Sequence, residues 1–319
     1  MASSVSVVLA ALFANGAIAI LKFGGYLLTG SPAMLSETYH SISDTGNQVF
    51  LLVGIFYGRK QASREHPFGY GKAQFFYSFL VSVLLFGIAG WESLKHGYDA
   101  IVNPHPISSG TVTIPVVGAT VPNVYVNYAV LAGAILFEAY ALKKANDAMR
   151  IEIRENDWSG YREAFKKTAN VTVLTAFTED TIAIGGAGLA LFGVFLSRVT
   201  GNPLFDAVSA FLIGVMLMGF AAALAWENKR LLLGESLPDA DEREIRALVT
   251  NASGVTEVVD LRTVYFGPDK VIVTADVAFD PDLDTEEIDD HITDLEETIM
   301  TADEDVSKVY IEPEVQDEE

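Results

Sequence analysis

One long apolar segment of the chain carries three ionisable side chains at helical spacing. Glu37, His40 and Asp44 are separated by three and four residues, and Asn47 follows one further turn along. On a helix this spacing places the side chains on one face. An imidazole and a carboxylate one turn apart can bind one divalent ion, because neutral His nitrogen and Asp oxygen are common zinc ligands. His40 and Asp44 are therefore predicted to be metal ligands.

A second apolar segment, rich in glycine, carries the adjacent acids Glu179 and Asp180. Two ligands from one helix fill only half of a tetrahedral site, so the others should come from another helix. Asp180 is predicted to be the third ligand. Glu179 points about 100° away from it on the same helix. Three roles are open for Glu179: a fourth metal ligand, a partner of Lys22, or a proton-binding group.

The other polar groups inside apolar segments have structural interpretations. Each ionisable group there costs several kcal/mol unless it is paired or hydrated. Glu37 is predicted to lie near the membrane surface with a structural role. Asn15, Lys22 and Asp206 are predicted to be packing or charge-compensating groups. The alternative for His40 is a hydrogen-bonded core histidine, and the neighbouring carboxylate of Asp44 favours metal binding instead.

The elements that would position these groups are membrane spans. Half of the 319 residues are hydrophobic and the mean hydropathy is positive. A helix crosses roughly 30 Å of hydrocarbon with about 20 apolar residues. The first run lacks a preceding basic stretch, so it is predicted to be a mature helix and not a signal peptide. The sequence predicts an all-α membrane bundle of six transmembrane helices near residues 5–29, 33–58, 73–97, 123–148, 168–197 and 203–227.

Basic residues predict the orientation of this bundle. The segments 59–72 and 143–167 together hold eleven Lys and Arg side chains, whereas the opposite connections offer little beyond Arg198. Loops rich in Lys and Arg stay in the cytoplasm. Both termini are therefore predicted to be cytoplasmic, in a multi-pass protein of the cell membrane.

The C-terminal part of the chain is strongly acidic. Residues 234–319 carry 27 acids against 5 bases. This segregation of charge predicts two domains, an apolar transmembrane transport domain at 1–232 and an acidic cytoplasmic domain at 233–319. Its acidity is typical of soluble proteins in salt-adapted organisms, and a cation-collecting surface is the alternative. Periodicity predicts an α+β fold of order αββαβ, with elements at 239–251, 256–265, 271–279, 285–300 and 306–311.

These features resemble the cation diffusion facilitator family. The stretch from Gly30 to Gln48, GSPAMLSETYHSISDTGNQ, is similar to that family's second-helix signature, in which HxxxD carries two metal ligands, and HPFGYGK at 66–72 reinforces the match. The resemblance implies a metallochaperone-like, ferredoxin-like cytoplasmic domain, a homodimer, and a second ligand pair spaced four apart on the fifth helix. Asp180 matches the later of those positions, whereas the earlier one falls on Ala176, which has no coordinating atom. Lys72 matches a position that forms a charge contact, for which Glu235 is the predicted partner.

The expected function is efflux of a divalent transition metal in exchange for protons. The chain has no cysteine, so nitrogen and oxygen must hold the metal. Zinc is the first candidate, but the sequence does not distinguish it from Mn, Fe, Co or Cd. We expect a secondary transporter, not an enzyme, with no prosthetic group and no nucleic-acid partner. The alternative is a membrane metal sensor or dimeric scaffold that binds ions without moving them.

Overall fold

The computed structural model describes residues 3–104, 110–114, 119–268 and 270–314. The chain divides into two compact units, one of Met1–Gly54 with Tyr77–Asn228 and one of Ile55–Phe76 with Lys229–Glu319. In chain order, the helical part comprises α1 (Ser3–Thr29), α2 (Pro32–Gly58), α3 (Lys72–Leu84), a π-helical turn (Leu85–Gly90), α4 (Trp91–Val102), α5 (Asn123–Glu155), α6 (Tyr161–Lys167), α7 (Val171–Thr200) and α8 (Leu204–Leu233).

Four of these helical stretches are long and apolar enough to cross a membrane. In the part of the chain that the structure describes, they are the continuous stretch Lys72–Val102 and the helices α5, α7 and α8. The bounds of α2 match the predicted run 33–58, but its polar side chains interrupt the apolar pattern. Six spans therefore remain a prediction, although every predicted run coincides with a long helix.

Small residues allow the helices of the first unit to approach closely. The contact between α5 and α7 is the most extensive between two described helices. A Cβ added at Gly97 would collide with the backbone of Phe211, and one at Gly214 with the backbone of Leu94. Such small residues let helix backbones approach in a bundle that lies in lipid. Apolar side chains from several helices, including Leu131, fill the space between them.

Between α4 and α5 along the chain, two short strands pair with each other. The strands β1 (Thr111–Ile114) and β2 (Ala119–Pro122) pair in antiparallel fashion, with Thr111 opposite Pro122.

The acidic C-terminal residues fold in the predicted αββαβ order. Strand β3 (Val255–Gly267) pairs antiparallel with β4 (Lys270–Phe279), and β4 pairs parallel with β5 (Val306–Glu314). Asp284 caps the second helix of this part with a complete capping box. Its carboxylate accepts a hydrogen bond from the backbone N–H of Glu287, and its own backbone N–H donates to the Glu287 carboxylate. The elements are α9 (Asp239–Thr250), β3 (Val255–Gly267), β4 (Lys270–Phe279), α10 (Thr285–Ala302) and β5 (Val306–Glu314).

The loop before α3 belongs to the same unit as this sheet. The Phe68 ring lies 5.3 Å from that of Phe266, and the Lys72 ammonium lies 4.7 Å from the Phe266 ring centroid. Glu235 forms an ion pair with Arg230, with 2.6 Å between Oε2 and Nε. The predicted contact between Lys72 and Glu235 stays a prediction.

Candidate metal centre

The start of α2 is fixed by a carboxylate from α8. Asp206 accepts hydrogen bonds from Ser31 Oγ at 3.0 Å and from the backbone N–H of Ala33 at 3.2 Å. A carboxylate at a helix N-terminus satisfies free N–H groups and complements the positive end of the helix dipole. This contact gives Asp206 the packing role that was predicted, and it sets the position of the polar residues that follow along α2.

His40 and Asp44 form the centre of the candidate site. His40 Nε2 lies 3.3 Å from Asp44 Oδ2, and the two residues are 1% and 6% exposed. The contact lacks hydrogen-bond geometry, and both ring nitrogens and Asp44 Oδ1 have no hydrogen-bond partner among the described residues. Buried polar atoms are nearly always hydrogen-bonded, so such a concentration calls for an explanation. These atoms are also the ones that would coordinate a divalent ion.

The two acids of α7 have different surroundings. Asn47 Nδ2 donates a 2.6 Å hydrogen bond to Glu179 Oε1, and both side chains are buried. Asp180 is half-buried and interacts electrostatically with Glu138, Asp44 and His40. The adjacent acids thus diverge, as their helical positions predict, and only Glu179 has a fixed hydrogen-bond donor.

Lys22 of α1 pairs with Glu37 of α2 and not with Glu179. Lys22 Nζ lies 2.8 Å from Glu37 Oε2, and both side chains are fully buried. The other oxygen of Glu37 faces Gly186 of α7, where an added Cβ would collide with it. The alternative that Lys22 pairs with Glu179 is therefore wrong. Lys22 does compensate a buried charge, as predicted, but the charge is that of Glu37, which lies inside the bundle.

Glu138 is a residue of this region that sequence reasoning missed. It lies in the middle of α5, is 5% exposed, and interacts electrostatically with Asp44, Lys22 and His40. The signal was present, because a lone acid within an apolar run is as costly there as Glu179 is in α7.

Only some of the predicted metal ligands lie close to one another in the structure. His40 and Asp44 are adjacent, and the acids of α5 and α7 lie within electrostatic range of them. Across residues 3–104, 110–114, 119–268 and 270–314, no three His, Asp or Glu side chains converge closely enough to hold one ion. The assignment of His40, Asp44, Asp180 and Glu179 as ligands therefore stays a prediction.

We expect Lys22→Met to destabilise the bundle strongly. Removing one partner of a buried ion pair leaves an uncompensated charge, which costs about 3–5 kcal/mol. The thermal midpoint of the purified protein should fall, and adding Glu37→Gln should recover most of the loss. The control is Lys95→Met, because Lys95 is exposed and its contact with Glu92 is long, at 3.9 Å. Equal midpoints for the Lys22 and Lys95 variants would show that the buried pair contributes nothing.

A bundle of long apolar helices that buries His40, Asp44 and other ionisable side chains, followed along the chain by a small α+β fold, is typical of a polytopic membrane protein. The chain belongs to the cation diffusion facilitator family, since the model of the cation efflux transmembrane domain matches residues 8–233 and that of the cation efflux protein cytoplasmic domain matches residues 237–315.

Three relatives illustrate the range of the family. The human "Proton-coupled zinc antiporter SLC30A9, mitochondrial" is 30% identical over 86% of this chain and 46% of its own length. "Metal tolerance protein C4" of Arabidopsis thaliana is 25% identical over 84% of this chain and 56% of its own. "Cation-efflux pump FieF" of Klebsiella pneumoniae is 25% identical over 83% of this chain and 77% of its own. The chain thus spans about half the length of the first two relatives.

Proposed function

We propose that this chain moves a divalent transition metal, with zinc as the first candidate, out of the cytoplasm in exchange for protons. The observation that carries the proposal is the buried pair of His40 and Asp44, whose ring nitrogens and carboxylate oxygen have no hydrogen-bond partner among the described residues. The proposed cargo ligands are His40, Asp44 and Asp180, with Glu179 as a further carboxylate of the centre. The names of the relatives, among them a proton-coupled zinc antiporter and a cation-efflux pump, support the same activity.

The ligand chemistry is sufficient to couple metal and proton movement. Metal binding requires a neutral imidazole and ionised carboxylates, so protons and metal compete for the same atoms. If metal loads from the cytoplasm and protons load from outside, rocking of the helices about the centre produces antiport. No covalent step is needed.

The proposal includes the arrangement of the whole chain. Residues 1–232 form a transport domain of six spans in the cell membrane, and residues 233–319 form a cytoplasmic domain with both termini on the cytoplasmic side. Two copies assemble as a homodimer. Segregation of the acidic residues to the C-terminal part and of the loop bases to 59–72 and 143–167 supports this arrangement.

Metal flux into proteoliposomes tests the proposal. Purified full-length protein is reconstituted and offered Zn²⁺, Mn²⁺, Fe²⁺, Co²⁺ or Cd²⁺, with and without an opposing pH gradient. We expect flux of at least one of these ions and acceleration by the gradient. Saturable binding of the ions without flux would instead identify a metal sensor or scaffold.

We expect Glu179→Gln to weaken zinc binding without abolishing it. Its Oε1 is already held by Asn47, so the side chain is placed to orient the centre. Loss of such an outer partner typically lowers metal affinity by about 10–100-fold. Titration of the purified variant with Zn²⁺ measures the effect, with Thr181→Ala as control because Thr181 is exposed on the same helix. Complete loss of binding would instead identify Glu179 as a ligand.

A further inference from the structure

Glu138 is a buried carboxylate in α5 that none of the described side chains neutralises directly. It is 5% exposed at the middle of a 33-residue helix. In the described part of the chain its carboxylate forms neither a hydrogen bond nor an ion pair. Lys22, the basic group with the strongest electrostatic effect on Glu138, pairs with Glu37 at 2.8 Å. A membrane-embedded acid in this state is a functional-site candidate.

The neighbours of Glu138 belong to the candidate metal centre. Its carboxylate interacts electrostatically with Asp44 and His40 of α2, and Asp180 of α7 interacts with it in turn. The extensive packing of α5 on α7 explains this proximity. Ionisable side chains of α2, α5 and α7 therefore interact electrostatically with one another. A bound cation would have to draw them together, because no three of the described ones converge closely enough to hold an ion.

The buried imidazole is an independent sign that this region takes a cation. His40 is 1% exposed, and neither of its nitrogens has a hydrogen-bond partner among the described residues. Two ligands on α2 and one on α7 leave a tetrahedral ion one ligand short. Glu179 is the less suitable fourth group, because Asn47 already donates to it at 2.6 Å and it points away from Asp180. Glu138 forms no such hydrogen bond among the described residues.

We propose that Glu138 supplies the fourth ligand of the transported cation, so that the site is built from α2, α5 and α7. This inference rests on the proposed transport function and specifies its site. One imidazole and three carboxylates form a harder ligand set than two imidazoles and two carboxylates. The site should therefore accept Mn²⁺ or Fe²⁺ more readily than a site with two imidazoles does, while still binding Zn²⁺.

The test is Zn²⁺ affinity of the full-length protein, measured by competition with a fluorescent chelator. Glu138→Gln should lower the affinity by more than about 100-fold, beyond the loss of about 10–100-fold that an outer partner gives. Glu155→Gln is the matched control, because Glu155 is exposed at the end of the same helix. Wild-type affinity in Glu138→Gln would overturn the inference. Should that variant aggregate, Glu138→Asp carries the test, and wild-type affinity of this shorter carboxylate would also overturn it.

A second substitution separates a ligand from a positioning residue. Ala176 precedes Asp180 by one helical turn, so a side chain there shares its face of α7. Adding Ala176→Asp to Glu138→Gln should restore Zn²⁺ affinity at least tenfold, roughly 1.4 kcal/mol, if only a ligand is missing. Failure to restore it would make Glu138 a positioning residue and overturn the ligand assignment.

Flux measured on the same preparations separates this inference from the proposed function. If wild type transports Zn²⁺, Asp180→Ala does not, and Glu138→Gln binds and transports normally, the function stands and the inference fails. If wild type binds Zn²⁺ without moving it, transport fails as the function, and the affinities of the Glu138 variants still decide whether Glu138 is a ligand.

Discussion

Asp180→Ala is expected to abolish metal flux while the protein stays folded. The substitution removes the proposed ligand from α7 and leaves His40 and Asp44, both on α2, as an incomplete site. Asp180 is half-buried and forms no hydrogen bond among the described residues, so its loss should cost little stability. The effect should exceed the roughly 10–100-fold loss expected for an outer partner.

Zinc flux into proteoliposomes measures the effect of Asp180→Ala, with elution volume and thermal midpoint as checks of folding. Thr181→Ala is the control, because its hydroxyl is exposed and bonds only to the carbonyl of Phe177. Normal transport by Asp180→Ala would show that the assignment on α7 is wrong. The search would then move to Glu37, Asn47 and Lys22.

The second large effect is expected at His40, which supplies the only nitrogen ligand in the proposed set. His40→Ala should abolish zinc binding. His40→Asp should keep an all-oxygen site, and because such sites favour Mn²⁺ over Zn²⁺, the ratio of zinc to manganese affinity should fall at least about tenfold. The control is His96→Ala, since His96 is 38% exposed and its ring stacks on Tyr39. An unchanged affinity ratio in His40→Asp would mean that the imidazole does not contact the ion.

The same polar residues that predict the site weaken the evidence for a membrane span. Between positions 36 and 48, α2 alternates hydroxyl, acidic, imidazole and amide side chains with few apolar ones. Length and apolarity alone therefore select other helices, although the bounds of α2 were predicted closely. Local rules that conflict in this way are expected where a segment serves function as well as folding.

The acidic C-terminal fold was predictable because its signals are local. The predicted start of β4 at 271 lies within one residue of the observed start, and the predicted start of the second helix at 285 matches that of α10. The end of α5 was less predictable. That helix continues to Glu155, whereas the predicted span ends near 148, where the apolar run stops. Apolarity marks the part of a helix that can cross a membrane and does not mark where the helix itself ends.

Partners across helices could not be predicted from spacing. The face of α2 that carries His40 and Asp44 follows from helical geometry, but the side chains opposite that face depend on how the helices pack. Of the three roles left open for Glu179, pairing with Lys22 was thus wrong, because Lys22 pairs with Glu37. Glu138 was missed for a different reason. An ionisable residue inside an apolar span marks a candidate functional site, and this rule was applied to Glu179 but not to Glu138, which it identifies equally well.

Simultaneous measurement of zinc and proton movement by the wild-type protein is the decisive test of proton-coupled zinc transport. Proteoliposomes carry a zinc indicator and a pH indicator in their lumen, and Zn²⁺ is added outside without an imposed gradient. We expect zinc to enter while the lumen becomes alkaline, and both signals to disappear together in Asp180→Ala. Zinc entry with no change in lumenal pH would contradict proton exchange, and binding without entry would contradict transport itself.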